Sequence, residues 1–184
     1  MISAMLIGIS GKKQCGKDTI CKMIRALDDR WEKHAFADKL KQALAVILDV
    51  KVEAFEDNIF KMSDSTIAKP EGGFYTYREL LQKFGTEVGR SISPNVWVDA
   101  LFSNYSLEDD FWIITDVRFP SEADAIREHG GILIRVNRNT GYIDNHPSET
   151  SLDNYPDFDY IINNEDLDET IKEVESIMKE NYFI

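Results

Sequence analysis

The 184-residue chain has two cysteines, three histidines and five prolines, and no apolar run in it approaches the ~20 residues that cross a bilayer. Cys15 and Cys21 have no further thiol to join, which excludes a disulfide framework and a zinc knuckle. A reducing cytoplasm suits such a chain. Positive charge is also scarce: 21 Lys and Arg stand against 33 Asp and Glu, a formal net charge of −12. That balance argues against a protein that coats polymeric nucleic acid, which needs a basic surface. Small phosphorylated ligands stay open, because a local basic pocket can sit inside an acidic shell. The apolar opening MISAMLIGIS lacks a basic flank and runs into Gly11 and Lys12. It reads as a buried strand and not as a signal peptide.

What is present is a globular composition, long enough for one domain over 1–184 with a proper core. Apolar runs at 4–9, 111–115, 132–136 and 158–162 read as strands, and 34–36 as a short one. Between them lie helical patterns. Ile20, Met23, Ile24 and Leu27 share one face over 18–27, and Leu40, Ala43, Leu44, Ile47 and Leu48 form a stripe over 39–48, with Asp38 as its N-cap. Thr76 and Glu79 have capping-box spacing and open a helix that runs to Arg90. Pro94 introduces a helix over 96–105, Pro120 one over 120–129, and a last one covers 167–178. Residues 49–73 read as a loop or inserted excursion, and the polar stretch 137–155 as a mobile, lid-like loop. Alternating solid strands and helices predict an α/β domain whose central parallel sheet is covered on both faces.

The sharpest motif is Gly11-Lys12-Lys13-Gln14-Cys15-Gly16-Lys17-Asp18-Thr19, placed between a strand and a helix. Glycines let successive N–H groups turn inward onto phosphate oxygens, and the helix that follows offers its free amides to the same anion. Lys17 is the residue that would follow charge between the β- and γ-phosphates. The position that usually holds Ser or Thr is Asp18, with Thr19 next; both are hard-oxygen candidates for Mg²⁺. A glycine turn with a solvated lysine is the plain alternative. The second motif is Asp116 at the end of the strand Phe111-Trp-Ile-Ile-Thr115, followed by Arg118. An acid there faces the crevice where α/β sheets bind ligands and is a third candidate for the metal. The plain reading is a turn-capping Asp paired with Arg118.

These segments occur together with Phe36-Ala-Asp-Lys-Leu-Lys41, Leu81-Gln-Lys-Phe-Gly-Thr-Glu-Val-Gly-Arg90, Pro94-Asn-Val-Trp97, Thr115-Asp-Val-Arg-Phe-Pro-Ser-Glu122, Gly130-Gly-Ile-Leu-Ile-Arg-Val136 and His146-Pro-Ser-Glu149. In that order they resemble the deoxynucleoside monophosphate kinases of tailed bacteriophages. The resemblance covers most of the chain apart from 49–73. It implies a three-layer P-loop fold of the nucleoside monophosphate kinase type. It also implies transfer of the γ-phosphoryl group of ATP, with Mg²⁺, to a deoxynucleoside monophosphate. An animal-type phosphomevalonate kinase shares the GKD loop and is the rival within the kinases. A nucleotide-binding switch that transfers nothing is the rival outside them.

Transfer between two anions needs several positive groups and exclusion of water. Beside Lys17 the candidates are Arg118, Arg135 and Arg138; Arg135 reads equally as a solvated strand residue, and Arg138 opens the lid-like loop. On the acceptor side Phe36, Asp38 and Lys41 start a helix that meets the monophosphate in this fold, and Arg78 and Arg90 are further phosphate candidates. Gln82, Glu87 and Trp97 are candidates for the base, with Phe84 more at home in the core. His146 and Glu149 read as residues that order the lid, since a phosphate acceptor needs no base. Asn163 and Asn164 read as a turn or as a contact to adenine. The excursion at 49–73 would serve as a dimer surface or as cover for the base.

Overall fold

The strand that leads into the glycine loop, β1 (Leu6–Ser10), is buried at every position, so it needs a neighbour on each edge and a layer on each face. In this computed structural model, residues 5–106, 110–141, 146–181 and 183 are described. After β1 come α1 (Lys17–Leu27), β2 (Glu32–His34), α2 (Ala37–Leu48), α3 (Asn58–Met62), β3 (Asp64–Ala68), β4 (Phe74–Thr76) and α4 (Tyr77–Gln82). There follow α5 (Arg90–Ile92), α6 (Val96–Phe102), β5 (Trp112–Val117), α7 (Pro120–Glu128), β6 (Ile132–Asn137), α8 (Pro147–Thr150), β7 (Tyr160–Asn163) and α9 (Leu167–Glu180). The chain divides into two compact units, Met1–Ala35 with Asn104–Ile184, and Phe36–Ser103.

The first unit is an α/β sandwich. Among the described residues its sheet has five strands in the order β2-β5-β1-β6-β7, and every pairing is parallel. Side chains of β1 alternate between faces. Ile7 and Ile9 join Ile20 and Ile24 of α1 and Val174, Ile177 and Met178 of α9 in one buried cluster. Gly8 points the other way, where a Cβ would lie 2.5 Å from Ile126 of α7 and 2.8 Å from Leu133. The absent side chain is what lets α7 close on that face. At the edge of the core Trp31, fully buried, meets the rings of Phe111 and Phe183 edge-on at 5.5 and 5.1 Å.

The second unit is built on Leu40, Leu44, Ala45 and Leu48 of α2, packed with Phe55 and Tyr77. Its α2 begins at Ala37, not at the expected Asp38 cap. Phe36, 2 % exposed and 6.1 Å from the Phe102 ring, holds the N-cap position, and Asp38 falls in the first turn beside Lys41 at 3.7 Å. Aromatic packing outweighs the local capping preference. The short strand expected at 34–36 lies two residues earlier, as β2, where Glu32, Lys33 and His34 pair with Trp112, Ile113 and Ile114 of β5. Residues 49–73, expected as a loop, hold a 3₁₀ turn (Val52–Glu56), α3 and β3; β3 pairs with β4 around Gly72 and Gly73, both at positive φ. The Thr76–Glu79 capping box is present, with Thr76 N–H donating to Glu79 at 2.8 Å and Glu79 N–H to Thr76 Oγ1 at 3.2 Å. Lys69, 2.8 Å away, and the Thr76 N–H hold the Glu79 carboxyl down at about 2. The expected helix continues from α4 to α5, but its middle, Lys83–Gly89, is π-helical.

Among the described residues no helix is long and apolar enough to cross a membrane. Residue 4 of the first expected strand lies outside the described residues, as do 142–145 of the expected lid-like loop. Within that loop 147–150 form a helical turn, α8.

Ile113 is fully buried on β5, an interior strand of the sheet, whereas Val46 on α2 is 84 % exposed. Ile113→Ala should therefore lower the unfolding free energy by about 2–5 kcal/mol, and Val46→Ala should change it by less than about 0.5 kcal/mol. Urea denaturation monitored by tryptophan fluorescence gives both values; equal effects would contradict this placement of the core.

Candidate active site

The segment between β1 and α1 is shaped by three unusual backbone positions. Gly11 has φ 154°, Gln14 φ 65° and Gly16 φ 105°. At Gly11 a Cβ would lie 2.5 Å from both the Val136 carbonyl oxygen and Cys15 Sγ; at Gly16 it would lie 2.1 Å from Asn164 Nδ2. Both glycines are required by strain and by space. Lys17 Nζ turns back over the loop and donates to the carbonyls of Gly11 at 2.7 Å and Lys12 at 2.9 Å, with Cys15 Sγ at 3.8 Å. Burial pulls the Lys17 ammonium below the ordinary lysine range; the charges of Cys15, Glu149 and Asp18 oppose the shift, and that of Arg118 adds to it. Cys15 itself is 1 % exposed and lies among core side chains.

Asn164 is a component of this loop that sequence reasoning missed. It is buried, donates from Nδ2 to the Cys15 carbonyl at 2.8 Å, and accepts from the Thr170 hydroxyl at 3.2 Å. The reading of Asn163-Asn164 as a turn or an adenine contact had one usable signal for this role. A polar residue at the carboxyl end of a parallel strand stands beside the loops of its neighbours.

Arg118 follows β5, whose register places Val117 opposite Ser10. Its backbone N–H, with that of Phe119, donates to the buried Glu122 carboxylate at 2.8 and 3.0 Å. Its guanidinium donates to the Ser148 carbonyl at 3.1 Å and to Glu149 Oε1. Asp116, half-buried, stands two residues earlier at the same end of the sheet. Thr19 and Asp18 are exposed on the first turn of α1. Burial would raise the Asp18 carboxyl, but the Lys33 ammonium at 2.8 Å, with Lys17 and Lys22, outweighs it and holds the group below its usual range.

Arg135 is not a solvated strand residue. It donates to Ser10 Oγ at 3.1 Å and to Asp153 at 3.0 Å, and Lys12 pairs with the same carboxylate at 3.1 Å. Arg138 is exposed and lines a cleft of about 430 Å³ together with Lys12, Cys15, Arg135, Asn139 and Glu165. The first unit thus brings Gly11–Thr19, Asp116, Arg118, Arg135 and Arg138 to the carboxyl ends of β1, β5 and β6.

The expected acceptor-side residues, from Phe36 to Trp97, belong to the second unit. Trp97 Nε1–H donates to the Gly85 carbonyl at 2.8 Å, and its ring lies on Gly89, where a Cβ would meet it at 2.4 Å. The indole is therefore what braces the π-helical segment. Arg90 donates to the Pro94 carbonyl at 2.9 Å, Glu87 pairs with Lys83 at 3.2 Å, and Lys41 with Glu56 at 2.6 Å. Arg78 is half-buried, and among the described residues its Nε has no hydrogen-bond acceptor. Gln82 closes α4 two turns of chain from Thr76.

A parallel sheet whose first strand runs into a glycine loop, with a lysine folded over that loop and an acid and arginine at the next strand's end, defines a P-loop nucleotide-binding protein. The family model described as deoxynucleotide monophosphate kinase matches residues 46–176, and the chain belongs to that family. The match begins after the phosphate loop, so loop and family are independent observations. The chain is 28% identical over 188 aligned residues to an Acanthamoeba polyphaga mimivirus protein assigned as a deoxynucleotide monophosphate kinase, covering 92% of this chain and 94% of that one. It is 26% identical over 181 residues to the deoxynucleoside-5'-monophosphate kinase of Escherichia phage T5, covering 68% and 72%. Dephospho-CoA kinase from Campylobacter jejuni superposes with a TM-score of 0.49 at 18% identity over 96% of both chains, too distant to bear on activity.

Asn164→Asp would set a carboxylate oxygen against the Cys15 carbonyl. It should cost about 1–3 kcal/mol of stability, the range for a buried hydrogen bond lost with its partner left unsatisfied, and should weaken ATP binding in calorimetric titration. Unchanged stability and affinity would remove Asn164 from the loop's support.

Proposed function

We propose that the chain transfers the γ-phosphoryl group of ATP to a deoxynucleoside monophosphate to give the diphosphate, and that residues 1–184 act as a single P-loop kinase domain in the cytoplasm, where both substrates are found. The observation that carries this reading is the phosphate loop with Lys17 folded over it, in a chain of this family. ATP is held with its phosphates on backbone N–H groups of the Gly11–Thr19 loop other than that of Lys13, which Glu149 holds, and its adenosine end in the cleft lined by Arg138, Asn139 and Glu165. Lys17 follows the negative charge as it moves to the leaving diphosphate, and Arg118 meets the group in transfer. Arg135 is committed to Asp153 and Ser10, so its part is to shape the cleft wall; Arg138 has the exposure to reach the phosphates.

The acceptor is assigned to the second unit, with Phe36, Asp38, Lys41, Arg78, Gln82, Glu87, Arg90 and Trp97 as its binding residues. Arg78 is the strongest of them, because its buried Nε calls for an anion and a guanidinium binds phosphate with two parallel bonds. The hydrogen bonds of Trp97 and Arg90 within the unit make their contribution one of shape.

The donor set suits Mg²⁺, which takes one or two protein oxygens and fills the rest with phosphate and water. Among the described residues no three His, Cys, Asp or Glu side chains cluster to hold an ion alone. Thr19 and Asp116 would hold it, with Asp18 once it leaves Lys33. When bound, the ion neutralises the phosphate oxygens and fixes their orientation. A phosphomevalonate kinase activity is not favoured by the family match.

ADP release from ATP and Mg²⁺, measured with the four deoxynucleoside monophosphates, their ribose forms and mevalonate phosphate, tests the reading. Release that depends on a deoxynucleoside monophosphate is expected; slow release indifferent to every acceptor would mark a nucleotide-binding switch. Lys17→Ala should lower kcat by at least ~10², the scale of one lost transition-state contact, with an unchanged circular dichroism spectrum. Turnover near wild type would refute the role of the loop. Asp116→Asn should shift the Mg²⁺ titration of turnover to higher concentration, whereas a superimposable curve would leave Asp116 a purely structural part.

A further inference from the structure

The carboxylate of Glu149 touches the phosphate loop directly, and the reading above gives it no part. It is presented by α8, a single helical turn. His146 caps that turn, accepting the Ser148 N–H at Nδ1 over 3.2 Å, and the His146 carbonyl accepts the Glu149 N–H at 2.8 Å. The side chain is only 8% exposed. A carboxylate withdrawn from water this far is tolerable only when both oxygens are paired. Oε2 accepts the backbone N–H of Lys13, inside the phosphate loop, at 2.9 Å, and Oε1 accepts from Arg118 Nη1. The same Nη1 donates to the Ser148 carbonyl at 3.1 Å. Three separate stretches of chain, at 13, 118 and 148–149, are therefore tied through one side chain.

Two roles fit a carboxylate in such a place. It could occupy the phosphate's own position and be expelled by ATP, or it could aim the arginine. The position of Lys17 decides between them. A group standing in for a phosphate would draw the Lys17 ammonium, yet Lys17 donates to the carbonyls of Gly11 and Lys12 and to Cys15 Sγ. The carboxylate instead grips the Arg118 guanidinium, whose second acceptor is the Ser148 carbonyl of the same helical turn. We propose that Glu149 is a positioning residue. It fixes the direction of the Arg118 guanidinium relative to the phosphate loop, and it acts on phosphoryl transfer through Arg118. The inference rests on the kinase reading, in which Arg118 meets the transferring group. The physical logic is that of a preorganised contact: an arginine already aimed does not have to be reoriented as charge develops.

A double-mutant cycle tests it on the full-length protein, with E149Q, R118A and the combined variant. Glutamine can accept from only one of the two donors, because its other terminus is itself a donor. E149Q should lower kcat at least tenfold while KM for ATP changes less than threefold. In the R118A background E149Q should change kcat less than twofold. Multiplying losses would overturn the inference, since Glu149 would then act independently of Arg118. A lower KM for ATP with kcat kept would also overturn it and make the carboxylate a competitor of the nucleotide. E149D, which keeps the charge and both acceptors on a shorter arm, should recover part of the lost kcat; no recovery above E149Q counts against the proposal. Hydrogen exchange at the Lys13 amide supplies a readout that needs no turnover. That amide should exchange at least tenfold faster in E149A than in wild type, and it should be unchanged in R118A. Equal protection in wild type and E149A would overturn the link. Absent acceptor-dependent ADP release in the wild type, with the exchange result intact, would instead count against the kinase reading.

Discussion

The loop between β1 and α1 has its shape because its carbonyl groups are already held. Lys17 takes those of Gly11 and Lys12, and Asn164 takes that of Cys15. A peptide whose C=O is engaged has its N–H committed to the opposite direction, so fixing the carbonyls also aims the donors. Two glycines at positive φ make that curl accessible, and the packing of Asn164 on Gly16 and of Val136 on Gly11 leaves no room for any other residue. Lys17 is thus a structural part of the loop before any nucleotide arrives. The loop's order costs little at the moment of binding, which is the sense in which a phosphate site is preorganised.

An acidic chain binds polyanions here by local pairing, not by net charge. Lys12 and Arg135 share Asp153, and Arg118 is tied to Glu149, so the cationic side chains at the ends of β1, β5 and β6 are oriented by the acids that surround them. A field from the whole surface would repel the substrates and be screened within about 8–10 Å at ordinary salt. A half-buried arginine with one well-placed acid beside it keeps its direction and much of its potential. The abundance of Asp and Glu in the composition is therefore compatible with the function, and for these arginines it is part of how the site is built.

The elements read most easily from the residues were those with a long, one-sided or solid apolar pattern. They include β1, β5 and β6, the stripes of α1, α2 and α9, and the glycine loop between its strand and helix. The capping box at Thr76 and Glu79 was equally legible, since its two hydrogen bonds are local. What escaped was set by distant packing. The start of α2 follows the burial of Phe36, not the capping ability of Asp38. The elements within 49–73 are each five residues long, too short to show any period, although Gly72-Gly73 marked the turn of the hairpin that β3 forms with β4. The π-helical segment is braced by Trp97 across twelve residues, and nothing local to 83–89 announces it. Arg135, Asn164 and Glu149 gained their places from partners 18 to 149 residues away, a relation that spacing alone does not reveal.

The central claim is that the phosphate loop serves transfer between nucleotides and not hydrolysis. The direct measurement follows the label of γ-³²P ATP in the presence of Mg²⁺ and a deoxynucleoside monophosphate, with products separated by chromatography. The account predicts that the label appears in the deoxynucleoside diphosphate, one for each ADP formed. Label recovered as inorganic phosphate, at a rate indifferent to the acceptor, would contradict it.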